Sequence, residues 1–147
     1  MSFRNIAQIA GSAMNAQSVR LNTVASNLAN ANTAAANETD AYHARKPVFA
    51  AVSARAGWLD EPADQPGRLA GASVQVLDVV HSTEPMREAY EPDNPLANED
   101  GTVFYPNVNS VAEMTDMMSA SRAFETNVEV LNRLKAMQQS LLKLGEG

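Results

Sequence analysis

The sequence contains no cysteine, which excludes disulfide bonds, thiolate catalysis and cysteine metal sites. Aromatic residues are also scarce, at 5%, although 45% of the chain is hydrophobic. Much of that hydrophobic content is alanine, so few large side chains are available to build a core. A chain of 147 residues with this composition is expected to depend on helix packing and on partners more than on a large core of its own.

Positive charge is sparse and unclustered. The formal net charge is −6; residues 38–105, with 5 basic and 12 acidic residues, have a net charge of −7, and the two ends together have a net charge of +1. The only short basic group is Arg45-Lys46. Because phosphate binding needs a clustered basic surface, nucleic acid is excluded as a partner.

Long apolar runs are absent too. The apolar stretch near the N-terminus is interrupted by polar residues such as Gln8, Ser12 and Asn15, and no segment has the roughly 20 apolar residues of a membrane span. The sequence therefore predicts no direct membrane span. A protein of this kind that leaves the cytoplasm is expected to do so without a cleaved signal peptide.

Residues that could carry chemistry are isolated from one another. His43 and His81 are 38 residues apart, and neither has metal-ligand spacing to another ligand. There is no glycine-rich phosphate loop and no serine with a recognisable base nearby in the sequence. We therefore predict no enzyme activity, no catalytic residues, no metal site and no cofactor.

A long helix is predicted over residues 3–33. Its apolar or small residues recur at alternating four- and three-residue spacing, which is typical of a helix that packs lengthwise on another helix; they are Phe3, Ala7, Ala10, Met14, Leu21, Val24, Leu28 and Ala31. The only charged residues before Glu38 are Arg4 and Arg20, and the outer faces carry amides and alanines. Such faces favour a helix contacted from several sides, and the alternative is an Asn-rich, partly frayed terminus.

A second long helix is predicted over residues 110–144. Ser110 and Glu113 fit a capping box at its start. Its apolar face is expected to contain Met114, Met117, Phe124, Val128, Leu131, Leu134, Met137, Leu141 and Leu144. Its methionines fit either an adaptable binding surface or core filler.

Between the helices the pattern changes to short strands and turns. Strands are predicted within residues 42–55, 73–80, 85–91 and 102–105, the second with a bulge or a change of face. The predicted fold is α+β, mainly α: long N- and C-terminal helices form an antiparallel coiled coil with a small β-rich insert between them. The predicted division is a core domain from residues 1–36 and 108–147, and an insert of residues 37–107 with a mobile loop at about 56–72.

Three stretches carry a resemblance to a known family. They are residues 20–33 (RLNTVASNLANANT), residues 90–109 from Tyr90-Glu91-Pro92 to Pro106-Asn107-Val108-Asn109, and residues 113–127 with Ala120-Ser121-Arg122-Ala123-Phe124. With them the sequence resembles the bacterial flagellar basal-body rod protein family over nearly its whole length. Asp93-Asn94-Pro95 departs from the Gly-His-Pro usual at that turn in the family.

The resemblance implies a structural rod subunit that polymerises through its terminal helices and transmits torque. Its implied partners are copies of itself, other flagellar rod proteins, the membrane-ring base with its rod adaptor, and the flagellar type III export machinery. The implied location is the basal body in the periplasmic space, reached without a cleaved signal peptide. The alternatives are another flagellar axial protein of the rod or hook, or a helical assembly protein associated with the export apparatus.

The predicted functional site is an assembly interface along both helices. It comprises Ala10, Met14, Leu21, Val24, Asn27, Leu28, Asn30, Ala31, Met117, Phe124, Val128, Leu131, Leu134, Met137 and Leu141. Asn27 and Asn30 are expected to fix the register by hydrogen bonds within otherwise apolar contacts. The alternative for both is a solvated amide near a helix end.

Overall fold

A computed structural model describes residues 3–53 and 72–145 of the chain. The elements are α1 (Phe3–Asn30), β1 (Arg45–Ser53), β2 (Ala72–His81), β3 (Arg87–Tyr90), β4 (Thr102–Tyr105) and α2 (Ser110–Gly145). The prediction of two long terminal helices with a β-rich segment between them is confirmed. Apart from residue 72, the predicted mobile loop lies outside the described residues.

Both helices begin and end close to the predicted residues. α1 has 28 residues and ends at Asn30, and α2 has 36 residues. The predicted capping box is wrong by one residue, because the Oδ1 atom of Asn109 accepts hydrogen bonds from the N–H groups of Val111 (3.1 Å) and Ala112 (3.2 Å). Asn109 is therefore the N-cap, and Ser110 is the first residue inside the helix.

Strands β1 and β2 form an antiparallel two-stranded sheet. Val48 pairs with Asp78 and Phe49 pairs with Val76, so Leu77 is an extra residue in β2. This confirms the predicted bulge in the second strand and excludes a simple change of face.

Strands β3 and β4 form a second antiparallel pair, and Val103 at its centre is completely buried. The chain after α1 joins this unit, since Ala35 and Phe104 exchange two main-chain hydrogen bonds of 2.9 Å. The connection between β3 and β4 ends at Gly101, whose φ is +76°. A Cβ atom there would lie 2.9 Å from Cε2 of Tyr90, so glycine is needed both for its conformation and for its size.

Helix α1 is covered from two sides by its own chain. It packs against α2, and it also packs against the β1–β2 sheet, where Ser12 Oγ accepts a hydrogen bond from the Val74 N–H (3.1 Å). Apart from Val24, the residues that α1 buries are small or polar: Ala10, Ala16, Thr23 and Asn27. The alanines and amides on several faces of α1 are thus consistent with a helix that has several neighbours. The two neighbours seen here, α2 and the β1–β2 sheet, belong to the same chain.

Neither described helix combines enough length with enough apolar character to cross a lipid bilayer.

Candidate assembly interface

Asn27 joins the end of α1 to the start of β1. Its side chain is 1% exposed, and its Nδ2 donates a hydrogen bond to the Arg45 carbonyl oxygen (2.8 Å). Its Oδ1 accepts hydrogen bonds from the Arg45 N–H (2.9 Å) and from the Tyr42 hydroxyl (2.9 Å). The carboxamide therefore pairs with both main-chain groups of Arg45 as a neighbouring strand would. We call Asn27, Tyr42 and Arg45 the Asn27 node.

A second asparagine holds the other end of the insert. Asn107, just before α2, donates from Nδ2 to the Glu84 carbonyl oxygen (2.7 Å). Its Oδ1 accepts a hydrogen bond from the Ala44 N–H (2.8 Å). Because Asn27 and Asn107 bind consecutive residues, the entry to β1 is fixed relative to both helices. Asn107 lies within the resembling stretch 90–109, and no local sequence pattern predicts its role.

An ion pair joins the two helices. The Arg20 guanidinium donates from Nε to Asp116 Oδ2 (2.8 Å) and from Nη2 to Asp116 Oδ1, a two-point contact between partly buried side chains. The hydrogen bond to Asp116 raises the pKa of Arg20, although partial burial acts in the opposite direction. Sequence reasoning missed this pair, although Arg20 is one of only two charged residues before Glu38.

A double-mutant cycle with Arg20→Met and Asp116→Asn is expected to give a coupling free energy of about 1 kcal/mol in urea denaturation, because the pair is bidentate and partly buried. The coupling should weaken in high salt, which screens charges. The matched control is the pair Glu129 and Arg133, one turn apart on the exposed surface of α2. Its coupling is expected to stay below about 0.5 kcal/mol, and equal couplings for the two pairs would contradict the interhelical role.

The structure separates the predicted interface residues into two groups. Those in the first group are buried or half-buried within the described chain: Ala10, Met14, Leu21, Val24, Asn27, Leu28, Asn30, Ala31, Met117, Phe124, Leu131 and Leu134. Those in the second group are exposed: Val128, Met137 and Leu141. Asn30 forms a hydrogen bond to the Ser26 carbonyl oxygen of its own helix (2.8 Å).

The C-terminal part of α2 is not packed against the rest of the described chain, since every residue from 135 to 145 is exposed. Met137, Leu141 and Leu144 follow i, i+4, i+7 spacing and so lie on one face, with exposures of 57%, 53% and 78%. We call these three residues the α2 tail stripe. Exposed apolar side chains repeated on one helix face are typical of interaction surfaces.

The start of α2 also exposes apolar side chains, namely Val111, Met114 and Met118. Three of the four methionines of α2 are thus exposed, namely Met114, Met118 and Met137, while Met117 is half-buried. For these three the structure favours an adaptable surface over core filler.

The titratable groups of the insert make structural contacts. His43 and His81 lie edge to face, with ring centroids 6.3 Å apart. Tyr105 donates its hydroxyl hydrogen bond to Glu91 (3.1 Å), and desolvation together with this carboxylate raises the pKa of Tyr105. Within residues 3–53 and 72–145, no three His, Asp or Glu side chains are grouped closely enough to hold a metal ion.

Comparison with known proteins gives consistent matches at both ends of the chain. Residues 8–36 match the family described as "Flagella basal body rod protein". Residues 99–144 match the family described as "Flagellar basal body rod FlgEFG protein C-terminal". The two matched segments contain most of α1 and nearly all of α2.

Curated relatives match over the full length. The chain is 45% identical over 146 residues to the flagellar basal-body rod protein FlgC of Escherichia coli, and 44% identical to that of Salmonella typhi, with 99% of this chain and 100% of each relative covered. It is 31% identical over 144 residues to FlgC of Borreliella burgdorferi, with 95% of both chains covered. The chain therefore belongs to the flagellar basal-body rod protein family.

Proposed function

We propose that the protein is a structural subunit of the proximal flagellar rod that polymerises through its terminal helices, and that the resulting polymer transmits torque. The observation that carries this proposal is the α2 tail stripe, which no part of the described chain covers. In this proposal α1 and α2 form an antiparallel coiled coil, made from residues 1–36 and 108–147, and residues 37–107 form the insert between them.

The energetics support contacts between subunits. Fully burying one Leu or Met side chain contributes roughly 1.5–3 kcal/mol, so covering the α2 tail stripe would contribute several kcal/mol per contact. In this proposal the stripe of one subunit packs on a different part of its neighbour. Contacts between unlike surfaces build an open helical assembly, as a rod requires.

The proposed partners follow from family membership. They are further copies of this chain, other rod proteins and the membrane-ring base with its rod adaptor, in the periplasmic part of the basal body. We further propose that the flagellar type III machinery exports the chain without cleavage. This role is mechanical and needs no catalytic residue.

Leu141→Asp is expected to abolish incorporation into the rod, and with it motility, because it places a charge in the α2 tail stripe. The folded monomer should be unaffected, since Leu141 is already more than half exposed in the chain. The measurement is the amount of protein in isolated basal bodies, together with swimming in soft agar.

The matched control is Gln139→Asp, which introduces the same residue two positions away, on the opposite face of α2. It carries the same cost in helix propensity and should leave assembly intact. Urea denaturation of both monomers should differ by less than about 0.5 kcal/mol. Normal rods with Leu141→Asp would count against polymerisation through this helix.

A further inference from the structure

The β1–β2 sheet has one open stretch of strand edge. In an antiparallel strand, the N–H and C=O groups of alternate residues point away from the paired neighbour. The Ala44 carbonyl oxygen points toward the β2 side, whereas both main-chain groups of Arg45 point the other way and bind Asn27. Since the direction alternates along a strand, the odd-numbered residues of β1 point outward. The Asn27 node occupies the outward groups of Arg45, and Pro47 has no N–H to leave unpaired. Between Pro47 and the last residue of β1, the outward residues are Phe49 and Ala51, and their outward groups have no partner within the described chain.

Strand β3 has an open edge of the same length. The Glu91 N–H donates a hydrogen bond to the Gly101 carbonyl oxygen (2.9 Å), so the odd-numbered residues of β3 point toward β4. Opposite Glu88, Phe104 directs its main-chain groups away from β3, to Ala35. Glu88 and Tyr90 are therefore the outward residues of β3. No described residue pairs with them. Pro92 follows at the next outward position and again lacks an N–H. The Tyr90 side chain is 75% exposed.

We propose that the outer edge of β1 in one copy of the chain pairs, antiparallel, with the outer edge of β3 in a neighbouring copy. Placing Phe49 opposite Tyr90 and Ala51 opposite Glu88 satisfies all four outward N–H groups and all four outward C=O groups at these positions. The same register places Pro47 opposite Pro92, so the ladder ends where neither strand has a donor left.

The side chains are complementary in this register. Phe49 and Tyr90, both exposed, become a cross-strand aromatic pair. Lys46 lies opposite Asp93, which brings the basic start of β1 to the acidic turn after β3. A shift by two residues would place Pro47 opposite Tyr90 and lose a donor. The aromatic contact, the charge pair and the main-chain groups thus agree on one register.

The partner is a second copy because the two complementary edges lie on the same chain. They are unlike surfaces, so the contact propagates from copy to copy and does not close into a dimer. The pairing rests on the proposed polymerisation only in requiring neighbouring copies, and it adds a strand contact to the helix contacts.

The absence of native cysteine allows a direct cross-linking test. In the proposed register Ala50 lies opposite Ala89 at a non-hydrogen-bonded position, where Cα atoms are about 4.5 Å apart, within the range of a disulfide. Basal bodies are isolated from cells that make both the Ala50→Cys and the Ala89→Cys chains, and are then mildly oxidised. A disulfide-linked dimer that contains one chain of each kind is expected. Replacing Ala50→Cys by Ala51→Cys, one residue along on the opposite face of the strand, should abolish this dimer.

The outcomes separate this pairing from the proposed function. Rods that contain both cysteine variants but give no mixed dimer would overturn the strand pairing and leave polymerisation through the helices standing. Dimers formed by Ala50→Cys alone would also overturn it, because they require β1 to pair with β1. Mixed dimers in rods that still assemble with Leu141→Asp would support the strand pairing and overturn polymerisation through the α2 tail stripe.

Discussion

Asn27→Asp is expected to lower the free energy of unfolding by about 3–5 kcal/mol at neutral pH, the cost of an unpaired buried charge. The aspartate keeps the shape of asparagine and can still accept hydrogen bonds from the Arg45 N–H and the Tyr42 hydroxyl. It has no N–H for the Arg45 carbonyl oxygen, which then faces a carboxylate oxygen across the 2.8 Å separation that the hydrogen bond spans. Urea denaturation measures the loss.

The pH dependence of the unfolding free energy of Asn27→Asp shows whether the buried charge causes the loss of stability. Because the Asn27 node disfavours a charged carboxylate, the pKa of the introduced aspartate should be higher in the folded chain than in the unfolded chain. The defect should therefore be smallest below about pH 4, near the unfolded-state pKa of Asp, and should grow as the pH rises toward the folded-state pKa. A protonated carboxyl group again has a donor for the Arg45 carbonyl oxygen.

Asn22→Asp is the matched control, since Asn22 is an exposed residue of the same helix. Its effect is expected to stay within about 0.5 kcal/mol at every pH. A loss as large as that of Asn27→Asp would mean that negative charge on α1, and not the Asn27 node, determines the result.

Ala120→Leu is expected to cost about 3 kcal/mol, because Ala120 is completely buried and has no space for three further carbon atoms. It lies one helical turn after Asp116, on the same face of α2, and that face packs on α1 through the ion pair with Arg20. The added volume must therefore separate the two helices or force strained side-chain conformations. Thermal or urea unfolding of the purified chain gives the change.

The same substitution at Ala112 provides the comparison. Ala112 is an exposed residue in the first turn of α2, where a leucine meets no neighbouring helix. Ala112→Leu is expected to change the free energy of unfolding by less than about 0.5 kcal/mol. Similar losses for Ala112→Leu and Ala120→Leu would show that helix spacing is not the limiting factor.

The helices and strands were predictable because the sequence patterns that specify them are local. Apolar periodicity predicted both helices, and the change of alternation near Leu77 predicted a bulge or a change of face in β2, of which the register shows the bulge. The cap of α2 was misplaced because Ser110 and Asn109 are both good N-cap residues, and only the structure shows which side chain reaches the helix N–H groups.

The candidate site was less predictable because its contacts join distant residues. The heptad pattern on α1 indicated buried positions, and Asn27 is indeed buried, but a pattern does not identify the partner. The hydrogen bonds of Asn27 go to residues 15 and 18 positions away, those of Asn107 reach 63 positions back, and Arg20 and Asp116 are 96 positions apart. Which predicted residues also contact neighbouring subunits remains a prediction, tested by the tail-stripe and strand-edge variants.

The order of α1 and α2 along the chain has a consequence for synthesis. Helix α2, which packs on α1 and supplies Asp116 to pair with Arg20, is made after the whole β-rich insert, so α1 leaves the ribosome before its helical partner exists. Contacts such as the pair of Arg20 and Asp116, 96 positions apart, close a long loop and form late, which makes folding slow compared with a chain of local contacts. A newly made subunit therefore has an interval in which its first helix is free to bind another molecule before its own second helix can cover it.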